Sequence, residues 1–151
     1  MQIDEPTQVT QELHRSLADL IRQLSADSAV PTMDDLIEMV ASPATVLFVA
    51  RLDGQIVGTL TLALFRAPSA LRARIEDVVV AEASRGRGVG SALTRAALDR
   101  ARDLGARTVE LTSRPARSAA NAMYQRLGFQ LRNTNVYRYE FSDEPPERVP
   151  P

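Results

Sequence analysis

The run Arg85-Gly86-Arg87-Gly88-Val89-Gly90 places three of the chain's seven glycines and two cations in six positions. The apolar stretch Val78-Val79-Val80 precedes it, and an alanine-rich run follows from Ser91. A loop that leaves a buried strand and enters a helix presents unpaired backbone N–H groups at the positive end of the helix dipole. Glycine lets that backbone approach a ligand with no Cβ in the way, which makes an anion cradle suited to phosphate. Arg85 and Arg87 add charged donors that can fork onto phosphate oxygens. The alternative is a turn that only starts a helix, since loose glycine patterns recur by accident.

The rest of the composition narrows the partners. The formal net charge of −1 gives no overall field to draw in nucleic acid, so an anion must be held by a local feature. The basic run from Thr94 to Arg107 is interleaved with Asp99 and Asp103, which reads as a solvated helix face. There is no cysteine, which excludes disulfides, thiolate metal sites and a covalent route through a protein thiol. Met1 to Pro6 is acidic and leads into no long apolar stretch, so neither a signal peptide nor a membrane span is expected, and the cytoplasm is the expected compartment.

These residues must be positioned by about one domain, the usual content of 151 residues. Leu13, Leu17, Leu20, Ile21 and Leu24 form one stripe of a helix over 10–25. A second helix over 32–41 has Thr32 as N-cap and Asp35 three positions on. Strands over 45–52 and 55–65 meet at Asp53-Gly54, a hairpin signal, and a third over 73–80 ends in the valines. A helix over 87–104 is closed by Gly105, a strand spans 107–112, a helix over 117–127 is closed by Gly128, and a last strand spans 136–141. The tail, 142–151, holds four of the nine prolines among acidic residues and is expected to be disordered, leaving 1–141 as the domain. The order implies an α/β, or α+β, domain with a mixed sheet, whose strand-loop-helix-strand crossover is built around the glycines.

Two phosphate-binding patterns fit the loop poorly. An ATP-type loop ends in Gly-Lys-Ser/Thr, whereas Gly90 is followed by Ser91-Ala92. A dinucleotide fingerprint has Gly-x-Gly-x-x-Gly in a series of parallel units, whereas here the spacing is Gly86-x-Gly88-x-Gly90 after a hairpin. Arg85-x-x-Gly88-x-Gly90 behind a Val-Val-Val strand instead resembles the acyl-CoA pyrophosphate loop of the GNAT N-acetyltransferase superfamily. The likeness extends over Ile75 to Val80 and over Ala120-Asn121-Ala122-Met123-Tyr124-Gln125-Arg126-Leu127-Gly128-Phe129, similar to the family's second helix. It implies a single-domain fold in which two parallel strands splay into a V, and it makes Met1 to Asp4 a candidate first strand.

The resemblance also implies a function and a set of roles. Acetyl-CoA would be the cosubstrate, its pantetheine arm along the backbone of Val78, Val79 and Val80, and its pyrophosphate on the N–H groups from Arg85 to Ser91. The acceptor would be a primary amine, on a small molecule or on a peptide, attacking the thioester directly. Tyr124 stands where the family tyrosine donates to the leaving thiolate, although a helical tyrosine is often simply core. Glu76 and Asp77 are candidates for the base, and strand alternation puts Glu76 on the face of Val78 and Val80. Either carboxylate can equally be a structural one. The family's usual asparagine, seven residues before the tyrosine, is replaced by Arg117; Arg117 and Asn121 are retained as candidate cofactor contacts, with Arg114 nearby. His14, the lone histidine, reads as a partly exposed helix residue. Members are often dimers, so a homodimer is possible. A non-catalytic acyl-CoA sensor is the alternative from another class, because fold and cofactor site do not guarantee turnover. A structural or nucleic-acid-associated domain whose glycine loop is only a turn is the third.

Overall fold

A computed structural model describes residues 1–24 and 29–141. Helix α1 (Gln11–Leu24) buries Leu13, Leu17 and Leu20, the stripe that its three-and-four spacing dictates. Helix α2 (Met33–Ala41) opens with a reciprocal cap. The Asp35 N–H donates to Thr32 Oγ1 at 3.1 Å, and the Thr32 N–H donates to the Asp35 carboxylate at 2.8 Å. His14 Nε2 lies 3.0 Å from the Pro31 carbonyl oxygen, so the lone histidine ties α1 to the entry of α2.

Five strands follow sequence order across one sheet: β1 (Gln2–Asp4), β2 (Thr45–Leu52), β3 (Gln55–Ala67), β4 (Ala70–Val80) and β5 (Val109–Glu110). All neighbours are antiparallel except β4 and β5, which are parallel. Asp53 and Gly54 at the β2–β3 turn have φ of 51° and 80°, the left-handed pair that matches the twist of a two-residue hairpin. Alternation along β2 and β3 divides the core in two. Phe48, Leu60 and Leu62 face helix α3 (Val89–Asp103) and pack with Val89, Leu93 and Ala97. Leu47 and Val49 face the other way, against Leu13, Leu17 and Leu36. Helices thus cover both faces of the sheet, and helix α4 (Ser118–Arg126) follows β5. At Gly58 a Cβ would lie 2.9 Å from Val89 Cγ1 and 3.1 Å from Leu93 Cδ1. Only glycine lets the start of α3 seat this closely on β3.

The sheet departs from the sequence pattern in three places. In β4, Val79 pairs with Thr59 and Glu76 with Thr61, so Asp77 and Val78 together stand opposite Leu60. This is a bulge, with Asp77 at a left-handed φ of 49°. Residues directly opposite in a ladder share a face, so Glu76 lies with Thr61 on the α1/α2 side. Val78 and Val80 pack on the α3 core, and the alternation that put Glu76 beside them is therefore broken.

The strand expected over 107–112 pairs only at Val109–Glu110, because the chain beyond turns away from β4. Residues 136–141 form no strand among the described residues. The rings of Tyr139 and Phe141 are in edge contact at 5.2 Å, and Val136, Tyr137 and Phe141 are 72%, 88% and 93% exposed. Period-two alternation reports an extended chain and carries no information about a partner edge. The tail expected to be disordered, 142–151, lies outside the described residues. Among the described residues no helix is long and apolar enough to cross a membrane.

Candidate active site

The parallel strands pair at Ala73 with Val109 and at Arg74 with Glu110, and then part. A cleft of about 650 Å³ opens in the gap. Glu76 to Val80 form one wall and Leu111 to Ser113 the other, with the glycine loop at one end and Tyr124 and Arg117 alongside. Beyond Arg74 the outer backbone edge of β4 has no described strand beside it.

The glycine loop is built as a cradle. Gly86 and Gly88 have φ of 75° and 80°, a conformation that side chains resist, and Gly88 is the N-cap of α3. Intrahelical bonding begins at the Ala92 N–H, which donates to the Gly88 carbonyl at 3.0 Å. The N–H groups of Val89, Gly90 and Ser91 therefore have no intrahelical acceptor, and all three residues line the cleft. Gly90 serves differently: a Cβ there would meet Met123 Sδ at 3.4 Å, so this glycine lets α3 pack against α4. Arg85 lines the cleft, and its Nε lies 3.4 Å from the Val80 carbonyl oxygen. Arg87 is exposed outside the lining, leaving one of the two expected arginines at the cleft.

The two carboxylates are not equivalent. Glu76 is ion-paired with Arg74, whose Nη2 also reaches Thr112 Oγ1 across the gap at 3.4 Å. Among the described residues Asp77 has no such ion pair, and partial burial, together with the charge of Glu76, pushes its carboxyl above the ordinary aspartate value. A carboxylate raised in this way accepts a proton more readily near neutral pH.

Tyr124 is 9% exposed and sets its ring against the edge of Phe129, with centroids 5.7 Å apart. Burial raises its hydroxyl above the ordinary tyrosine value, and the charge of Arg117 opposes this only in part. The hydroxyl is therefore a protonated donor across the physiological range. Arg117 lines the cleft, and its Nη2 donates to the Leu24 carbonyl at 3.3 Å, joining the start of α4 to the end of α1. Asn121 does not line the cleft; its Nδ2 donates to the carbonyls of Arg114 and Pro115 at 3.1 and 3.4 Å and braces the β5–α4 loop. Arg114 is also outside the lining.

Several lining residues gave no sequence signal. Gln23 Oε1 accepts from the Glu82 N–H at 3.1 Å and brings the end of α1 to the cleft rim. On the polar flank of an amphipathic helix such a residue looks merely solvated. Leu111, Thr112 and Ser113 line the gap because β5 ends before them.

Residues 12–129 match the profile of the acetyltransferase (GNAT) family. The chain belongs to that family. An uncharacterized N-acetyltransferase of Escherichia coli (strain K12), YjgM, is 25% identical over 125 residues, 76% of this chain and 75% of that protein. A structure from Agrobacterium tumefaciens (strain C58), assigned as an acetyltransferase, superposes with a TM-score of 0.81 at 26% identity, covering 93% of this chain and all of the other. An aminoglycoside acetyltransferase from an uncultured soil metagenomic sample, in complex with trehalose, shares the fold with a TM-score of 0.79 at 19% identity, covering 94% and 96% of the two chains. The five-stranded mixed sheet with helices on both faces is the fold of these GNAT relatives.

Proposed function

We propose that this GNAT protein transfers the acetyl group of acetyl-CoA to a primary amine by direct attack. One observation carries the reading: one cleft, opened by the splay of β4 from β5, has the glycine cradle at one end and both the Asp77 carboxylate and a protonated tyrosine in its walls. The chain fits the cosubstrate on its own geometry. Unbonded N–H groups at the start of α3 and the cation of Arg85 suit a pyrophosphate, and the open edge of β4 suits an amide-bearing arm.

Acetyl-CoA supplies an acetyl group activated as a thioester. Asp77 takes a proton from the ammonium form of the acceptor and leaves a nucleophilic amine. As the amine nitrogen bonds to the acetyl carbon and the carbon–sulfur bond breaks, Tyr124 gives its hydroxyl proton to the sulfur. The proton shed by the nitrogen restores the tyrosine. Glu76, held by Arg74, fixes the strand beside Asp77.

Acetyl-CoA at a hundred times its Kd should stabilise the fold by about 2.7 kcal/mol. For a chain of this size that is a rise in Tm of roughly 5–10 °C. A thiol-release assay over a panel of amines then reads transfer. No thermal shift overturns the cosubstrate; a shift with no turnover on any amine reduces the protein to an acyl-CoA binder.

Gly88→Val tests the cradle separately. No atom lies within 4 Å of a Cβ at Gly88, so the fold should persist, with the left-handed φ costing about 1–2 kcal/mol. Acetyl-CoA affinity should fall at least tenfold by calorimetry, because the cap that presents the N–H groups must relax. Unchanged affinity would place the pyrophosphate elsewhere.

A further inference from the structure

A second cavity, of about 150 Å³, lies between the sheet and helices α1 and α2. Its apolar lining comes from Leu17, Ile21, Leu36, Met39 and Leu47. Among the described residues Asp77 alone lines both this cavity and the cleft. The bulge accounts for this, since an extra residue in one strand re-aims its side chain relative to a regular ladder.

We propose that this cavity seats the acceptor, and that the acceptor is a primary amine carrying one compact apolar group and no anionic group. The inference rests on the transfer reading above and adds the class of amine to it. Size sets the first limit: a cavity of about 150 Å³ lined by aliphatic side chains holds a molecule on the scale of benzene. Polarity sets the second. Among the described residues Asp77 is the single charged residue of the lining; of its two threonines, Thr59 already donates its hydroxyl to the Phe48 carbonyl at 3.1 Å, which leaves Thr61. A sugar placed here would lose its hydration with few partners in return. A polyamine would need a second carboxylate at the far end, and an amino acid would set its own carboxylate against Asp77; the described residues of the lining include neither a second carboxylate nor a cation. An arylalkyl or branched alkyl amine meets both limits. Its ammonium pairs with Asp77 at the junction and faces the cleft, while its apolar group fills a gap in the α1/α2 core.

The test uses benzylamine, phenethylamine and 3-methylbutylamine against spermidine, kanamycin, glucosamine 6-phosphate and leucine, with acetyl-CoA saturating. The apolar amines should exceed the polar ones in kcat/KM by at least 100-fold. Methyl NMR of the wild-type protein reads occupancy without turnover: benzylamine should shift the Ile21 and Met39 methyl signals. Met39→Trp, which fills the cavity, should raise the KM for benzylamine at least tenfold and leave the acetyl-CoA Kd within twofold. Preference for a polar amine, unmoved methyl signals, or an unchanged KM in Met39→Trp overturns the inference and leaves acetyl transfer standing. Methyl shifts without turnover on any amine support the cavity's occupant and overturn the transfer.

Discussion

Replacing Asp77 with asparagine should lower kcat/KM by about 10²–10⁴, the range expected for loss of a general base. The substitution is close to isosteric, and asparagine accepts the left-handed φ of 49° found there, so the bulge is kept. The pH dependence isolates the cause. In the wild-type enzyme the rate should climb through a titration above the ordinary carboxylate range, because burial and Glu76 raise the Asp77 carboxyl. That limb should be absent from Asp77→Asn. Stability should move in the opposite sense to activity. A group whose pKa is higher in the folded state than in the unfolded one weakens folding as pH rises through that window. At neutral pH the variant should therefore unfold in urea at the wild-type midpoint or slightly above it. Full activity in Asp77→Asn, or a retained limb, would remove Asp77 as the base.

Tyr124→Phe should act on a different step. Its kcat should drop by about 10²-fold or more, as for loss of a general acid. The acetyl-CoA Kd should stay within about twofold, since the ring, its edge contact with Phe129 and the lining of the cleft are retained. Because burial raises the Tyr124 hydroxyl above its ordinary value, the wild-type rate should show no alkaline decline from this group below the usual tyrosine range. Unchanged turnover in Tyr124→Phe would leave the departing sulfur to be protonated by solvent.

What could be read from the sequence was local. Thr32 with Asp35, Asp53-Gly54 and the glycines before α3 each fix a backbone conformation within a few residues, and each is found where expected. The run that ends in Leu127-Gly128-Phe129 singles out Tyr124, which lines the cleft. What could not be read depends on partners distant in the chain. The bulge exists only in the register of β4 against Thr59 and Thr61, so alternation alone grouped Glu76 with Val78 and Val80 and missed the phase change between them. Asn121 sits in the right helix, but its amide is taken by loop carbonyls. The sequence alternates over 136–141, but no ladder partner lies beside that stretch among the described residues.

The bulge has a consequence for how the site relates to the fold. With Asp77 removed, Val79, Val78 and Glu76 would face Thr59, Leu60 and Thr61 in unbroken succession, and no other pair of the ladder would need to move. The sheet is complete without this residue. Asp77 is supernumerary to the architecture, and a deletion at 77 should return a regular strand and an intact domain that has lost the junction between its two cavities.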